Sequence, residues 1–591
     1  MNKTRTLHPH RLVTLLLATA LLIALPLSPV SASPATRQSY IVQGAEVETL
    51  VRLVEGAGGT VTSQLNIIHG VGALLTPAIA DHLRIIEGLT LTLNKSVRLL
   101  GGDPDDEEGG RGSHSPATDY PDVVGADLVW AQGVTGQGVA VAVVDTGLGH
   151  HRGLIRDTQG RPGRIVGWVD FVNGRRTARD PNGHGTHIAG IIANSQRGAD
   201  GEWNGVAPGV NLVGVRVLDE TGYGSYEHVI QGIQWVIEHK DTYNIRVMNL
   251  SMSGPVEAPY WADPLSQAVT AAWANGIVVV VAAGNGGSGS MSVGVPAYNP
   301  YALTVGAFTD NHTPLDWNDD YLAPFSAAGP TMDGFVKPDV VAPGAHMVSL
   351  MNPHTYLAEN HQANQVSNQY FSMAGTSQAA AVVSGMAALV VAGHPELTPD
   401  QVKFRLMVTA APWIDLTSCT PSDPSTLANC TALYSMWQQG AGRAMAPEVV
   451  LGDVPNASAN QGMDIWADLA GSLHYEGYSY YDPETQTFRL YGEGYGQWAG
   501  GYGQWAGGYG QWAGGYGQWA DGYGQWAGGY GQWAGGYGQW AGGYGQWAGG
   551  YGQWAGGYGS AAFAEGYATG TGYGQWAGGY QWIGNWVNFD G

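Results

Sequence analysis

The segment PNGHGTHIAG, residues 181–190, sets His184 and His187 three apart at the start of an apolar run. Three readings fit such a pair: metal ligands, a general base with a structural neighbour, or two polar groups at a helix start. A helical zinc pair carries a glutamate between its histidines, as in H-E-x-x-H, or further ligands at metal spacing. Gly185 and Thr186 stand here instead, which makes ligation the weakest reading. Asp145 closes the apolar run VAVAVV, where an acid at a strand's carboxyl end is placed to act on a ligand; an aspartate capping a turn has the same sequence. Ser377 follows Gly375-Thr376 just before a long apolar helix. Such a turn exposes the hydroxyl beside a helix amino terminus that favours negative charge, and an N-cap serine is the plainer alternative. Asn285 follows the run IVVVVAAG, where its amide could donate to an oxyanion or simply form a turn between glycines.

What must position these residues is a sheet. Between about Val123 and Gly452 the runs VAVAVV, NLVGVRVL, VMNLSM, IVVVVAAG and ALTVGA alternate with helical patterns such as EHVIQGIQWVIEH and PLSQAVTAAWANG. Apolar runs without alternation mark strands covered on both faces, hence a parallel α/β sheet whose functional groups gather at the strands' carboxyl ends. Ahead of it, residues 39–100 read as strand, helix, two strands, helix and a last strand LTLTLNKSVRLL. That βαββαβ order describes a small two-layer α+β unit near the minimum self-supporting size. Residues 101–122 are Gly/Pro-rich and acidic, and read as a linker. Over 471–591 Gly, Tyr, Trp, Gln and Ala take over, and YGQWAGG recurs at a seven-residue period from Tyr495, with Asp521 breaking one copy. Glycine fills too much of each repeat for a coiled coil. The expectation is a low-complexity tail, ordered in part, or an array of aromatics for stacking on a ligand.

The chain opens with a basic start, an apolar run from Leu12 to Leu25, and small residues at Val30-Ser31-Ala32, which reads as a secretory signal peptide over 1–32. No second stretch reads as a membrane span for the mature chain, so the expected place is outside the cell, free or at its surface. The formal charge of −23 argues against nucleic-acid binding, which needs a basic face. Cys419 and Cys430 share a Ser/Pro/Asp-rich loop, and in an exported chain a local disulfide is expected over two free thiols.

Asp145 in DTG, His184 in NGHGTH, Asn285 in AAGN and Ser377 in GTS, in this order, resemble the subtilisin-like serine peptidases, the subtilases. GVAPGV at 205–210, NLSMSG at 249–254, KPDVVAPG at 337–344 and QGAGRAM at 439–445 extend the likeness from about Val123 to Gly452. The resemblance implies a three-layer subtilisin-like α/β domain that hydrolyses proteins or peptides. Ser377 would be the nucleophile, His184 the base, Asp145 its orienting acid, Asn285 the oxyanion donor, and His187 a structural neighbour. TGYGSY at 221–226 and SMSG at 251–254 match the family's segments that flank an extended peptide. Gly222, Tyr223, Gly224, Ser251, Met252, Ser253, Ala283 and Gly284 are then the substrate-binding set, whose small, uncharged walls imply broad cleavage after apolar or large uncharged residues. Residues 39–100 resemble the family's propeptide, which inhibits its own enzyme and assists its folding, so the chain would be a self-processing zymogen. No cofactor and no metal is required for this chemistry. The family's structural calcium suits an acidic exported chain, yet no D-x-[DN]-x-[DN]-G loop occurs. One departure follows GTSQAA: Ala381-Val382 stand where the family commonly has Pro-His, which changes helix packing and removes no catalytic group. The competing reading from another class is a secreted binding protein whose aromatic tail contacts glycan or the cell surface; a metal hydrolase is weaker still.

Overall fold

The computed structural model describes residues 36–100, 118–415 and 431–490, apart from 455–456, 461, 478 and 483–486, and beyond these only short strands of the repeat. The expected signal peptide, most of the linker, and Cys419 and Cys430 lie outside the described residues.

The small amino-terminal unit consists of β1 (Gln38–Gln43), α1 (Val47–Gly56), β2 (Thr60–Leu65), β3 (Gly70–Leu75), α2 (Pro77–Arg84) and β4 (Thr90–Leu93). Its strands form an antiparallel sheet in the order β2-β3-β1-β4. Val47, Leu50 and Val54, three and four residues apart, turn one face of α1 onto a core with Tyr40, Val42, Val71 and Ala73. Thr76 starts α2 by accepting from Ile79 N, with Pro77 at the first helical position. The single last strand expected from LTLTLNKSVRLL is in fact two. β4 pairs with β1, but Ser96–Leu99, β5, leaves that sheet for the larger domain. The break falls at Asn94, whose side-chain amide donates to Ser39 Oγ on one side and to Glu227 on the other.

The larger body holds β6 (Ala140–Asp145), β7 (Ile165–Asp170), α3 (His184–Ala193), β8 (Asn211–Arg216), β9 (Tyr223–Ser225), α4 (Tyr226–Tyr243), β10 (Ile245–Leu250), β11 (Met252–Ser253), α5 (Pro264–Ala274), β12 (Val278–Ala282), β13 (Leu303–Thr309), β14 (Tyr321–Leu322), β15 (Val340–Pro343) and α6 (Thr376–Gly393). Its sheet runs β14-β13-β12-β10-β6-β8-β7, with β15 also beside β13. All pairs are parallel except β13 with β14. Each apolar run named above is one of these strands. Every residue of β6 and of β12 is buried, as a parallel strand covered by helices on both faces requires. Among the described residues α6 alone is long and apolar enough to cross a membrane, and the fold buries it against β10, β12 and β13. Ala381 and Val382 are wholly buried on that helix, so the departure from Pro-His is a matter of packing.

The packed body continues past Gly452. Asp468 accepts hydrogen bonds from the Tyr260 and Tyr301 hydroxyls at 2.6 and 2.8 Å, and Tyr475 N donates to the Tyr260 oxygen at 3.1 Å. Farther on, strands such as Tyr495–Ala499 and Tyr509–Ala513 pair in parallel with the strand two repeats along, Tyr495 opposite Tyr509 and Trp498 opposite Trp512. Alternate repeats thus build two sheets, one of six strands and one of five.

Candidate active site

Asp145 ends β6 fully buried, and its Oδ1 accepts from Thr146 N at 2.7 Å. The turn before α3 is held by a second carboxylate, Asp180, which accepts from Asn182 N, Gly183 N, Thr186 N and the hydroxyls of Thr146 and Thr186. Gly183 is the N-cap at φ 107°, a left-handed conformation that favours glycine, and a Cβ there would lie 2.2 Å from Met351 Sδ. Because the turn is this tight, His184 is the first residue of the helix. Its Nδ1 lies 2.9 and 3.0 Å from the two Asp145 oxygens. A carboxylate can only accept, so the proton sits on Nδ1 and Nε2 keeps a lone pair. That Nε2 is buried and has no hydrogen-bond partner.

His187 faces elsewhere. Its Nε2 donates to the carbonyls of Met347 and Phe371 at 3.1 and 3.0 Å, and burial, with His184 nearby, pushes its pKa down to about 3. The two histidines therefore serve separate partners rather than one ion. Among the described residues no group of three or more His, Cys, Asp or Glu is arranged to hold a metal.

Gly375 is the N-cap of α6, which makes Ser377 the helix's second residue rather than its cap. The hydroxyl expected to be exposed is fully buried, because residue Leu100 covers it. Ser377 Oγ lies 3.0 Å from the Leu100 carbonyl oxygen and 3.4 Å from that of Ser251. Asn285 Nδ2 donates to the same Leu100 oxygen at 3.0 Å. The Asn285 Oδ1 accepts from Thr376 N at 3.0 Å and Thr376 Oγ1 at 2.8 Å, which turns the amide's donor end toward the carbonyl. Thr376 was one more residue of GTS in the sequence; only its reach to Asn285 reveals the orienting part.

Leu100 arrives there on β5, which lies antiparallel between β9 and β11. Val97 is opposite Gly224, Arg98 opposite Tyr223 and Ser253, and Leu99 opposite Met252, while Leu99 N donates to Gly222 O at 3.0 Å. Val97 and Leu100, three apart, are 1% and 7% exposed, whereas Arg98 between them faces solvent. Ser251 Oγ accepts from Asn249 and approaches Ser377 O, and buried Ala283 and Gly284 lead from β12 into Asn285. The arrangement holds a carbonyl by an amide donor with a hydroxyl beside it, and an acid–imidazole pair at the end of β6, with no hydrogen bond between Ser377 Oγ and His184 Nε2.

The family model for the Subtilase family matches residues 136–450. Serine protease AprX of Bacillus subtilis (strain 168) is 42% identical over 289 residues, 48% of this chain and 64% of that protein. Subtilisin E of the same strain is 32% identical over 418 residues, 67% of this chain and 93% of that protein. The chain belongs to the subtilase family. Its kinship makes this subtilase a subtilisin-like serine peptidase. Fervidolysin from Fervidobacterium pennivorans, a keratinolytic enzyme related to subtilisin, shares the subtilase's fold at TM-score 0.52 and 22% identity, over 73% of this chain and 63% of that one.

Proposed function

We propose that this subtilase is an exported serine endopeptidase, made as a zymogen that cuts itself between Leu100 and Gly101 and then cleaves proteins or peptides after apolar residues. The observation that carries the reading is the Leu100 carbonyl oxygen, 3.0 Å from both Asn285 Nδ2 and Ser377 Oγ, at the end of a strand clamped between β9 and β11. Ser377 Oγ attacks the carbonyl carbon while its proton passes to His184 Nε2, the ring nitrogen that Asp145 leaves unpaired. Asp145 keeps Nδ1 protonated and stabilises the imidazolium. The oxygen, now an anion, is held by the Asn285 amide, with the N–H of Ser377 at the start of α6 as second donor. Collapse expels the Gly101 amine, which takes the proton from His184. Water activated by the same nitrogen then frees Leu100 from the serine.

The clamp is made of main-chain hydrogen bonds and places little demand on sequence, whereas the buried Leu100 and Val97 sites ask for apolar side chains. Residues 36–100 stay in the cleft as a product-like inhibitor until they leave. No cofactor enters these steps, and a structural calcium would act on stability alone. The signal-like opening and the charge of −23 support action outside the cell.

The test is secretion of wild type beside Ser377→Ala with amino-terminal sequencing of each. The expected mature wild type begins at Gly101 and Ser377→Ala keeps residues 36–100 attached. Equal processing of both, or a first cut elsewhere, would refute self-cleavage at this bond.

A further inference from the structure

Counting back from Leu100 as the first residue, Lys95 is the sixth. It lies just ahead of β5, yet the main-chain clamp still holds it: Tyr226 N donates to Lys95 O at 3.0 Å, one step beyond the pairing of Ser96 with Ser225. The Lys95 ammonium lies 3.2 Å from Glu257 and 3.5 Å from Asp263 Oδ2, and 5.5 Å from the centre of the Tyr226 ring. Its side chain is 11% exposed, a depth that an ammonium reaches only where partners of this kind replace its water.

All three partners belong to the larger domain, so the site stays behind when the small unit leaves. Asp263 is wholly buried and fixed by its own domain: Oδ1 caps α5 by accepting from Leu265 N and Ser266 N at 3.0 and 3.1 Å, and Oδ2 accepts from the Tyr226 hydroxyl at 3.2 Å. Tyr226, also wholly buried, starts α4 and carries both the main-chain donor and the ring. The contacts that Gln43 and Ser63 make with the larger domain come from other strands of the small unit, and an extended substrate has nothing to replace them. Lys95 differs because it is on the clamped strand itself, so any peptide in the same register brings its own sixth residue to this place. We propose that Glu257, Asp263 and the Tyr226 ring form a subsite for a cationic side chain six residues ahead of the cut, which favours proteins carrying Lys or Arg there. The inference rests on the peptidase reading above and deepens it, adding a charge preference at the far end of a cleft whose nearer sites are apolar.

The test uses the secreted, processed enzyme and two chromogenic peptides. One is acetyl-Lys-Ser-Val-Arg-Leu-Leu 4-nitroanilide, which repeats residues 95–100, and the other has norleucine in place of the lysine. Norleucine keeps the apolar stem and removes the ammonium. The expected wild-type ratio of kcat/KM, lysine peptide over norleucine peptide, is about tenfold, the combined worth of a partly exposed ion pair and a cation–π contact. Glu257→Gln lowers that ratio, and Asp263→Asn, which keeps a side-chain oxygen to cap α5, lowers it further. Taking the ratio within each variant cancels any general loss of folded enzyme, and Glu257, 61% exposed, still decides the matter if Asp263→Asn does not fold. A wild-type ratio near one, or a ratio that the substitutions leave unchanged, overturns the proposal. Failure of wild type to release nitroaniline from either peptide would instead remove the peptidase reading on which the proposal stands.

Discussion

At His187 burial, with His184 beside it, decides what a histidine does. Its Nε2–H is spent on two carbonyls, and its pKa of about 3 keeps it neutral through the physiological range. The unfolded chain binds that proton near pH 6.5, the folded one only near 3. Between those values the unfolded state holds more protons, so this contribution to stability is complete above pH 6.5 and is lost as the pH falls toward 3. His151, pushed down to about 4 by burial, acts in the same direction. In a Ser377→Ala background that cannot digest itself, urea unfolding at pH 7 and 4.5 should show wild-type His187 losing about 2–3 kcal/mol more than His187→Gln. Equal losses would mean that another group carries the acid sensitivity. The residues proposed to do the chemistry were legible because Asp145 ends a strand, His184 and Ser377 lie in the first turn of helices and Asn285 closely follows a strand, each in a motif with its own glycines. Thr376 and Asp180 were not, because their parts depend on neighbours tens of positions away.

Among the elements, the central strands were plain from their unbroken apolar runs, since a strand covered on both faces leaves no polar period to confuse with a helix. β5 was not. Its sequence continues the alternation of β4, and nothing within LTLTLNKSVRLL says that its partners, β9 and β11, belong to another domain. That displacement is what brings the end of the small unit to Ser377. If the Leu100 site is read at the cut, Leu100→Lys places an ammonium where the leucine is 7% exposed, and desolvating it costs several kcal/mol unless the stem bends outward. Self-cleavage should slow by tenfold or more, followed as the half-time of the precursor band in a pulse-labelled culture. A half-time equal to wild type would show that the strand is held by its backbone alone and that Leu100 is not selected.

Across the whole molecule, the linear order of a small unit, an acidic linker, a parallel sheet and an aromatic repeat was visible in composition, but the docking of the first on the third was not. It runs through the amino ends of α4 and α5. Gln43 Nε2 donates to Gln267 Oε1 at 2.7 Å, and the Lys95 ammonium lies 3.2 Å from Glu257 and 3.5 Å from Asp263, the N-cap of α5. At the centre is Glu227, 8% exposed, which accepts from Ser63 Oγ at 2.7 Å and Asn94 Nδ2 at 3.2 Å while its own N–H donates to Asn94 Oδ1. The carboxylate reaches Ser63 only because it crosses β3 at Gly72, where a Cβ would lie 2.4 Å from Glu227 Oε1. Hydrogen bonds to a buried charge are worth about 1.5–3 kcal/mol each, so loss of this contact should weaken retention of the cleaved unit ten- to a hundredfold. Glu227→Ala on one side and Gly72→Ala on the other should each shorten the lag between the cut at Leu100 and the first hydrolysis of a peptide ester by the secreted protein. Since both remove one contact, the double variant should shorten the lag no further than the more severe single change. Additive shortening would place the two residues in independent contacts, and an unchanged lag would mean that the strand in the cleft, not the helix ends, holds the enzyme shut.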